Sequence, residues 1–551
     1  MHTLLFSLIT VPAAFAIYLL AIAPRFNPLQ VLAGPPIRSW FKTHLHGVLD
    51  PAISRRVHEH YVQKYGRSIR IQGLGPWDQR LLTLDPLSVA HVLKNSAIYE
   101  KPWQSRRLIT SLIGCGMLAA EGQVHKRQRR VATAAFSIQN MRALVPLVFR
   151  KGTELRDTWF DILRQSDTRN CKIDVCHWIS RATFDVIGLA GFDYNFEAIK
   201  DETNELFGAY KEMFEVVISQ GHPVWTILRI YAPFLSSLLP DGTVNKTVKR
   251  CHSVIHRVAG HLIQEKKRKI KEGEEIGVAY DGKDLLSLLL KANMATDLPA
   301  DQRISDVDIL HNINTFMFAG SDTSSLSLTW TLLLLAQNSV IQERLRVELL
   351  SVTPASSNDI SKLTEDEIQS LYNIISNLPY LHNVTRECIR LIPPVHSSIR
   401  VATQDDKVPT SFPVHRRDGT VIMDKSFVHV PKGSFVHVAV EGFNLDKGIW
   451  GNDAWEFQPD RWDHLPDGVS ELPGLFSNTL TFSSGPRSCI GMRFSLIEIK
   501  AFLYILLTNF VFQTTEDKII RANVVLTRPY ISGKYKEGSQ CPLLISHFSK
   551  I

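Results

Sequence analysis

The stretch Phe482-Ser-Ser-Gly485-Pro-Arg487-Ser-Cys489-Ile-Gly491 runs straight into the apolar helical pattern Met492 to Leu507, and its reading decides the rest of the chain. One cysteine stands between two glycines, beside an arginine, just ahead of a helix N-terminus. The helix dipole and backbone N–H groups aimed at the sulfur favour a thiolate there, so the thiol pKa is expected to fall and the sulfur to serve as a metal ligand. Gly485 and Gly491 would let the backbone pass close beneath a flat group, Phe482 would shield the sulfur, and Arg487 would pair with a carboxylate of that group. A lone cysteine in a glycine turn is usually just a small buried apolar residue. The whole constellation asks for a fuller explanation.

Four other stretches fit the same explanation. Ala319-Gly320-Ser321-Asp322-Thr323-Ser324 lies inside a helical pattern over 305–338; Ala319 and Thr323 share a face, with Phe316 on the preceding turn. Small residues there leave room for a small molecule, and a mid-helix threonine can bond back to the previous turn and open a local kink. Glu387-Cys-Ile-Arg390 has the i,i+3 spacing of a helical ion pair and is followed by Pro393-Pro394, Val395 and Arg400. Arg461 lies in Phe457-Gln-Pro459-Asp-Arg461-Trp462, and His125 and Arg129 are one turn apart in Gly122-Gln-Val-His125-Lys-Arg-Gln-Arg129-Arg130.

Together these stretches resemble, in order and spacing, the cytochrome P450 family, most closely its microsomal fungal members; FSSGPRSCIG matches every fixed position of the signature FxxGxRxCxG. The resemblance implies a mainly α fold with small peripheral β-sheets (α+β) and haem b held by Cys489 as axial iron ligand, a thiolate that favours O–O cleavage. It further implies that Phe482, Gly485, Arg487, Gly491, His125, Arg129 and Arg400 contact the haem. Asp322 and Thr323 would be the catalytic acid–alcohol pair that relays protons, and Glu387, Arg390 and Arg461 a buried supporting triad. Phe316, Ala319, Gly320 and Val395 would line the substrate pocket. His125 departs from the tryptophan common at its position.

The implied activity is insertion of one atom of dioxygen into a lipophilic organic substrate, by hydroxylation or epoxidation, in secondary metabolism or xenobiotic oxidation. Electrons would come from NADPH through NADPH–cytochrome P450 reductase, with cytochrome b5 a further candidate donor. The alternatives are a reductase-independent haem-thiolate isomerase or peroxygenase, against which the Asp322–Thr323 pair counts, and a non-enzymatic haem-binding module. The substrate surface would draw on 102–117, the aromatic-rich stretch 207–239, Val395 to Ile399 and Arg528 to Ile531.

Composition agrees with an enzyme-sized folded chain: 551 residues, 44% apolar and 21% charged. Seven cysteines without a repeated short spacing argue for a reducing compartment rather than a disulfide or zinc framework. The net charge of +8 fits nucleic acid, an anionic membrane surface or an acidic protein partner and does not choose among them; the resemblance implies the membrane and a reductase, with no nucleic acid among the expected partners. Thr3 to Pro24 carries no charged side chain and has the roughly 20-residue length of a spanning helix. Arg25, Arg38 and Lys42 follow it, which keeps the body cytosolic by the positive-inside rule. The expected organisation is an anchor at 1–24, a proline-rich hinge at 25–45 and a catalytic haem domain at 46–551, placed on the endoplasmic reticulum membrane; a cleaved signal peptide is the alternative.

Apolar periodicity predicts helices over 139–164, 174–190, 203–219, 243–271, 305–338, 340–351 and 376–391. Strands are expected as a pair within 69–86 and at 426–430, 434–440, 523–527 and 542–545, with an exposed loop at 271–283. Gly114-Cys-Gly116-Met-Leu-Ala119 loosely fits a dinucleotide pattern, but no strand–helix–strand series surrounds it, so NADPH is assigned to a partner. The sequons at Asn245 and Asn383 are expected to stay unused.

Overall fold

The computed structural model describes residues 10, 14, 15, 17–37, 42–166, 170–219, 243–275, 282, 284–294, 303–353, 360–423, 426–522 and 525–549. Helices dominate: α1 (Ser54–Tyr65), α2 (Pro86–Lys94), α3 (Trp103–Ile113), α4 (Gly122–Ala135), α5 (Val145–Gln165), α6 (Val175–Phe192) and α7 (Glu205–Ser219) come first. They are followed by α8 (Thr243–Glu275), α9 (Leu285–Met294), α10 (Asp306–Gln337), α11 (Ser339–Ser351), α12 (Glu365–Ser376), α13 (Pro379–Leu391) and α14 (Met492–Asn509).

The strands stay at the periphery, as expected. A five-stranded sheet runs β1 (Ser68–Gln72), β2 (Gln79–Thr83), β10 (Phe435–Val438), β5 (Ser398–Ala402), β3 (Tyr99–Glu100). A three-stranded sheet joins β11 (Phe510–Thr514), β14 (Pro542–His547) and β4 (Asn170–Asp174). Antiparallel pairs complete the set: β6 (Asp406–Thr410) with β9 (Ser426–Val430), β7 (Val414–His415) with β8 (Val421–Ile422), and β12 (Ile519–Ala522) with β13 (Arg528–Ile531).

Helix α10 is the axis of the molecule. Ser305 caps it in a reciprocal box with Asp308, which satisfies two backbone donors at its start. From Ser324 to Leu333 every residue is buried, so this half is enclosed on every side, and the hydroxyls of Ser325, Ser327 and Thr331 donate back to carbonyls of the helix itself. It packs on α6, α13 and α14, and α14 packs in turn on α5.

Several boundaries differ from the periodicity. The pattern at 139–164 is two helices, Ile138–Ala143 and α5, because Pro146 can only stand in the first turn of a new helix. For the same reason the pattern at 376–391 divides: α12 ends at Ser376 and α13 starts at Pro379. Helix α8 runs on to Glu275, so the expected loop begins later, and 276–281 and 283 lie outside the described residues. The strand expected at 523–527 is not formed over Val525–Thr527, while Asn523 and Val524 lie outside the described residues; the hairpin flanks them as β12 and β13. The strand expected at 434–440 stops at Val438, and Val440 opens a short helix to Asn444.

The anchor expectation falls largely on residues 1–9, 11–13 and 16, outside the described residues; beyond them the chain forms a π-helical turn Tyr18–Ile22 and a short helix Ala23–Phe26. Among the described residues no single helix is long and apolar enough to cross a membrane. One bent pair, Gly122–Ala135 with Ile138–Gln165, passes by length and composition. That pair carries His125 and Arg129, and its buried face packs into the main core.

Candidate functional site: a thiol loop beneath a central helix

The cysteine loop is shaped before it meets α14. Gly485 has φ +70, and a Cβ there would lie 2.6 Å from the Leu93 carbonyl oxygen of α2, so only glycine fits. The Cys489 N–H donates to the Phe482 carbonyl at 2.9 Å, closing the loop on itself. The Phe482 ring is buried and meets Phe476 edge-on at 5.8 Å. Gly491 is different: its φ is −84, and a Cβ there would find nothing nearer than Phe136 at 3.9 Å. Neither backbone nor neighbour demands glycine at this position, so the loop keeps an open space beside it.

The Cys489 side chain is exposed to that space while protein surrounds it. Burial pushes its thiol pKa up, against the lowering effects of the Gly491 N–H and the Arg129 charge. This corrects the expectation of a depressed thiol: the helix-terminal N–H contributes with the expected sign, but desolvation of the anion is larger. The remaining cysteine thiols are free as well.

Around one edge of the space, positive charge exceeds negative. Arg129 donates to the Ser488 carbonyl at 2.7 Å. Arg400 is buried, with its Nη1 on Ser398 Oγ at 2.7 Å and the Ile399 carbonyl at 2.9 Å; burial lowers its pKa to about 10. Arg487 donates to the Ala120 carbonyl at 2.7 Å and pairs with the Glu121 carboxylate, and burial brings it to about 10 too. Lys101 is held well below the usual lysine range by burial and by the charges of Arg400, Arg487 and Arg106. His125, on the same face of α4 as Arg129, is lowered to about 4 by burial, Lys101 and Arg129, so its imidazole is neutral at pH 7. Glu100 and Glu121 are the carboxylates that answer these cations. Lys101 and Glu121 had no signal in sequence, since each gains its meaning from elements far away along the chain.

Glu387, Arg390 and Arg461 come together in the interior. Glu387 and Arg390 are completely buried and joined by two bonds, Nε to Oε2 at 2.9 Å and Nη2 to Oε1 at 2.8 Å. Arg461 Nε reaches Glu387 Oε1 at 3.3 Å, and Trp462 Nε1 donates to Oε2 at 3.1 Å. Arg390 also donates to the Asn444 and Ala454 carbonyls at 2.8 and 2.9 Å, and Arg461 to Asp453 Oδ1 at 2.8 Å. The triad therefore clamps α13 to the irregular segment that leads into the cysteine loop.

Helix α10 closes the opposite side. Phe136, the nearest neighbour of the Gly491 space, meets Phe316 of α10 edge-on at 5.5 Å. Ser324 Oγ lies 3.1 Å from Ser495 Oγ, tying the turn after Thr323 to the first turns of α14. Thr323 Oγ1 donates to the Ala319 carbonyl at 2.7 Å, the back-bond expected of a mid-helix threonine. Asp322 pairs with Arg528 of β13, a partner no local pattern announces. The two side a cavity of about 60 Å³ with a mixed lining, which reaches His177, Lys211 and Ser539 as well as Phe184, Phe207 and Met317.

Gly320 departs from its expected place. A Cβ there would come within 2.8 Å of Ile187 on α6, so its smallness serves the crossing of two helices rather than an opening beside Thr323. Val395 is exposed. Of the aromatic stretch from Phe207, Phe207 and Tyr210 pack on Phe184 at 5.3 and 5.9 Å, and Tyr210 donates to Asn314 at 3.0 Å. The side chain of Phe214, with Trp225, Tyr231 and Phe234, lies outside the described residues.

The family model "Cytochrome P450" matches residues 33–532. Cytochrome P450 monooxygenase 128 of Postia placenta is 36% identical over 555 residues, covering 98% of this chain and 96% of that protein. A ganoderic acid synthetase of Ganoderma lucidum is 32% identical over 516 residues, covering 90% and 89%. Cytochrome P450 monooxygenase claQ of Ampulloclitocybe clavipes is 30% identical over 537 residues, covering 95% and 93%.

Proposed function

This chain belongs to the cytochrome P450 family and is a haem-thiolate monooxygenase; from that premise we propose that Cys489 supplies the thiolate, that the surrounding cations seat the haem, and that the substrate is a lipophilic product of fungal secondary metabolism. Haem and NADPH-dependent electron delivery are typical of the family. The observation that carries the residue assignment is the convergence on one space of a single open thiol, an excess of cations and a threonine-bearing helix turn.

The residues present fit a haem. Its flat ring would take the room that Gly491 leaves, and its two carboxylates would add negative charge to a cluster in which Lys101, Arg129, Arg400 and Arg487 outnumber Glu100 and Glu121. When bound, haem supplies the iron at which dioxygen is activated, and thiolate ligation favours O–O cleavage. Cys489 would hold the iron, as the thiolate that metal ligation requires. Neutral His125 donates one ring N–H to a carboxylate, a role that tryptophan fills through its indole N–H.

Thr323 and Asp322 move protons. Thr323 Oγ1 donates to the Ala319 carbonyl, so its lone pairs remain able to accept from a water. Asp322, released from Arg528, would carry protons from the adjoining cavity toward that hydroxyl. Phe316, Ala319 and Val395 border the organic substrate. The Glu387–Arg390–Arg461 triad touches no reactant and fixes the path of the chain into the cysteine loop.

The Ganoderma relative's name, a synthetase of ganoderic acid, together with the other fungal relatives, supports a biosynthetic role on a greasy substrate. Electrons arrive from NADPH–cytochrome P450 reductase, with cytochrome b5 a second donor, at the endoplasmic reticulum membrane to which residues 1–24 anchor the body. The test is turnover in membranes under ¹⁸O₂. One labelled oxygen per product, dependent on NADPH and reductase, is expected. Turnover without NADPH, or with peroxide alone, would replace this reading with an isomerase or peroxygenase.

A further inference from the structure

We propose that the cavity between α1 and residues 442–448 binds a phosphate-class oxyanion, held by Arg55 and His58, at a site separate from the one around Cys489.

The cavity measures about 160 Å³, and its wall is charged. A single water needs only about 10–15 Å³ of such space, so an ion of phosphate's bulk fits. Arg55, His58 and Glu59 reach it from one face of α1, three and four residues apart, while Asp446 and Lys447 reach it from across the cavity and Arg67 from the chain after α1. Two glycines make room for these groups. A Cβ at Gly442 would lie 2.7 Å from His58 Nδ1, and one at Gly448 would lie 2.5 Å from Arg67 Nη2.

The carboxylates of this wall are already matched. Glu59 accepts from Lys447 at 2.8 Å, and Asp446 holds Arg67 by two bonds, at 2.7 and 3.1 Å. Close to His58, Glu441 accepts from Ser54 Oγ at 2.6 Å and from Arg521 at 2.8 Å. One cation is left over. Among the described residues Arg55 has no hydrogen-bonded or ion-paired partner, and its guanidinium lies 4.4 Å over the Trp455 ring. Burial lowers its pKa to about 10, so it keeps its charge at pH 7.

His58 is the second unanswered group. It is 2% exposed, and neither ring nitrogen has a hydrogen-bond partner. Idle polar atoms at such depth are costly and ask for a ligand. Glu441 favours protonation of the ring, His396 and His437 oppose it, and burial outweighs all three and keeps the imidazole neutral. An oxyanion answers both groups, accepting from the Arg55 fork and from a His58 N–H. With Gln63, Arg67 and Lys447 also at the wall, the donors outnumber the two oxygens of a carboxylate, which favours an ion with four. The wall continues into Asn444, whose carbonyl accepts from Arg390 and whose Oδ1 accepts from the Leu480 N–H. An ion that ties α1 to this wall thus braces the segment that the triad grips.

The test is calorimetric titration of the haem-loaded full chain with phosphate and with sulfate, whose charge is the same at pH 6 and pH 8, at constant ionic strength made up with chloride. Saturable binding of one ion per chain is expected, tighter at pH 6 because the bound anion draws a proton onto His58. Arg55→Leu should weaken it on the order of tenfold or more, the loss of one charge-assisted bond. His58→Leu should abolish the pH dependence, and Glu59→Gln, which frees the Lys447 ammonium, should tighten binding, an effect that misfolding does not imitate. A response that never saturates and is equal in parent and Arg55→Leu is the general action of a kosmotropic salt and would overturn the proposal. Binding of acetate but of neither tetrahedral ion would overturn it too.

Discussion

Thr323 and its hydroxyl show how much one side chain can decide. The back-bond to Ala319 orients the oxygen without consuming its lone pairs. Thr323→Ala should therefore keep haem content and substrate affinity while product per NADPH drops on the order of a hundredfold, the lower end of what a general acid–base group contributes. Peroxide in place of the lost oxygenation product is the measurement to make, and unchanged coupling would contradict the relay. Buried histidines set a pH response, for burial also lowers His382 to about 4 and holds His437 well below the usual imidazole range. His58 and His125 are both held near 4, chiefly by burial, against 6.5 in an open chain. Between those values the unfolded chain binds more protons than the folded one. Their contribution is thus fully present above pH 6.5 and is lost as pH falls toward 4. The thermal midpoint of the haem-free protein should decline between pH 6.5 and 5, less steeply in a His58→Leu variant; a flat profile would show that these imidazoles stay exposed.

Between elements, the interaction that matters most is the one between α13 and the segment before the cysteine loop. Glu387 meets Arg390, Arg461 and Trp462 in the buried interior, so Glu387→Gln would leave the Arg390 guanidinium without its counter-charge and Arg461 with Asp453 alone. Breaking a buried pair in this way costs about 3–5 kcal/mol. The variant should accumulate as haem-poor protein with a lowered thermal midpoint; normal haem loading would contradict a supporting role for the triad. Gly485→Ala should act locally, because the new Cβ would strike the Leu93 carbonyl at 2.6 Å in a backbone conformation with φ +70. Loss of haem retention, with the rest of the helical circular dichroism intact, is the expected reading. The triad was legible because Glu387 and Arg390 share one helix and Arg461 sits in a recognisable turn. The Asp322–Arg528 pair was not, since β13 reaches α10 only after the chain has wrapped around the body.

For the whole molecule, the helical class and the peripheral sheets follow from periodicity, and α10 was visible from its capping serine to its last turn. The short helices α1, α2, α3, α9 and α12 were not. In α1 the apolar positions are only Val57, Tyr61, Val62 and Tyr65 among charged residues, and such a helix forms because tertiary packing covers that thin stripe. The cation cluster was half visible: His125, Arg129, Arg400 and Arg487 carry motif signals, but Lys101 and Glu121 declare themselves only when α3, α4 and the cysteine loop meet. That excess of positive charge around one open thiol is the property on which the account of this enzyme rests. The most direct test is the reduced carbon-monoxide spectrum of the full chain beside that of Cys489→Ala. The parent should show the strongly red-shifted band of a thiolate-ligated haem, and the variant should lose it, with or without residual haem. A variant that kept the thiolate-type band would place the ligand elsewhere and contradict the assignment of Cys489.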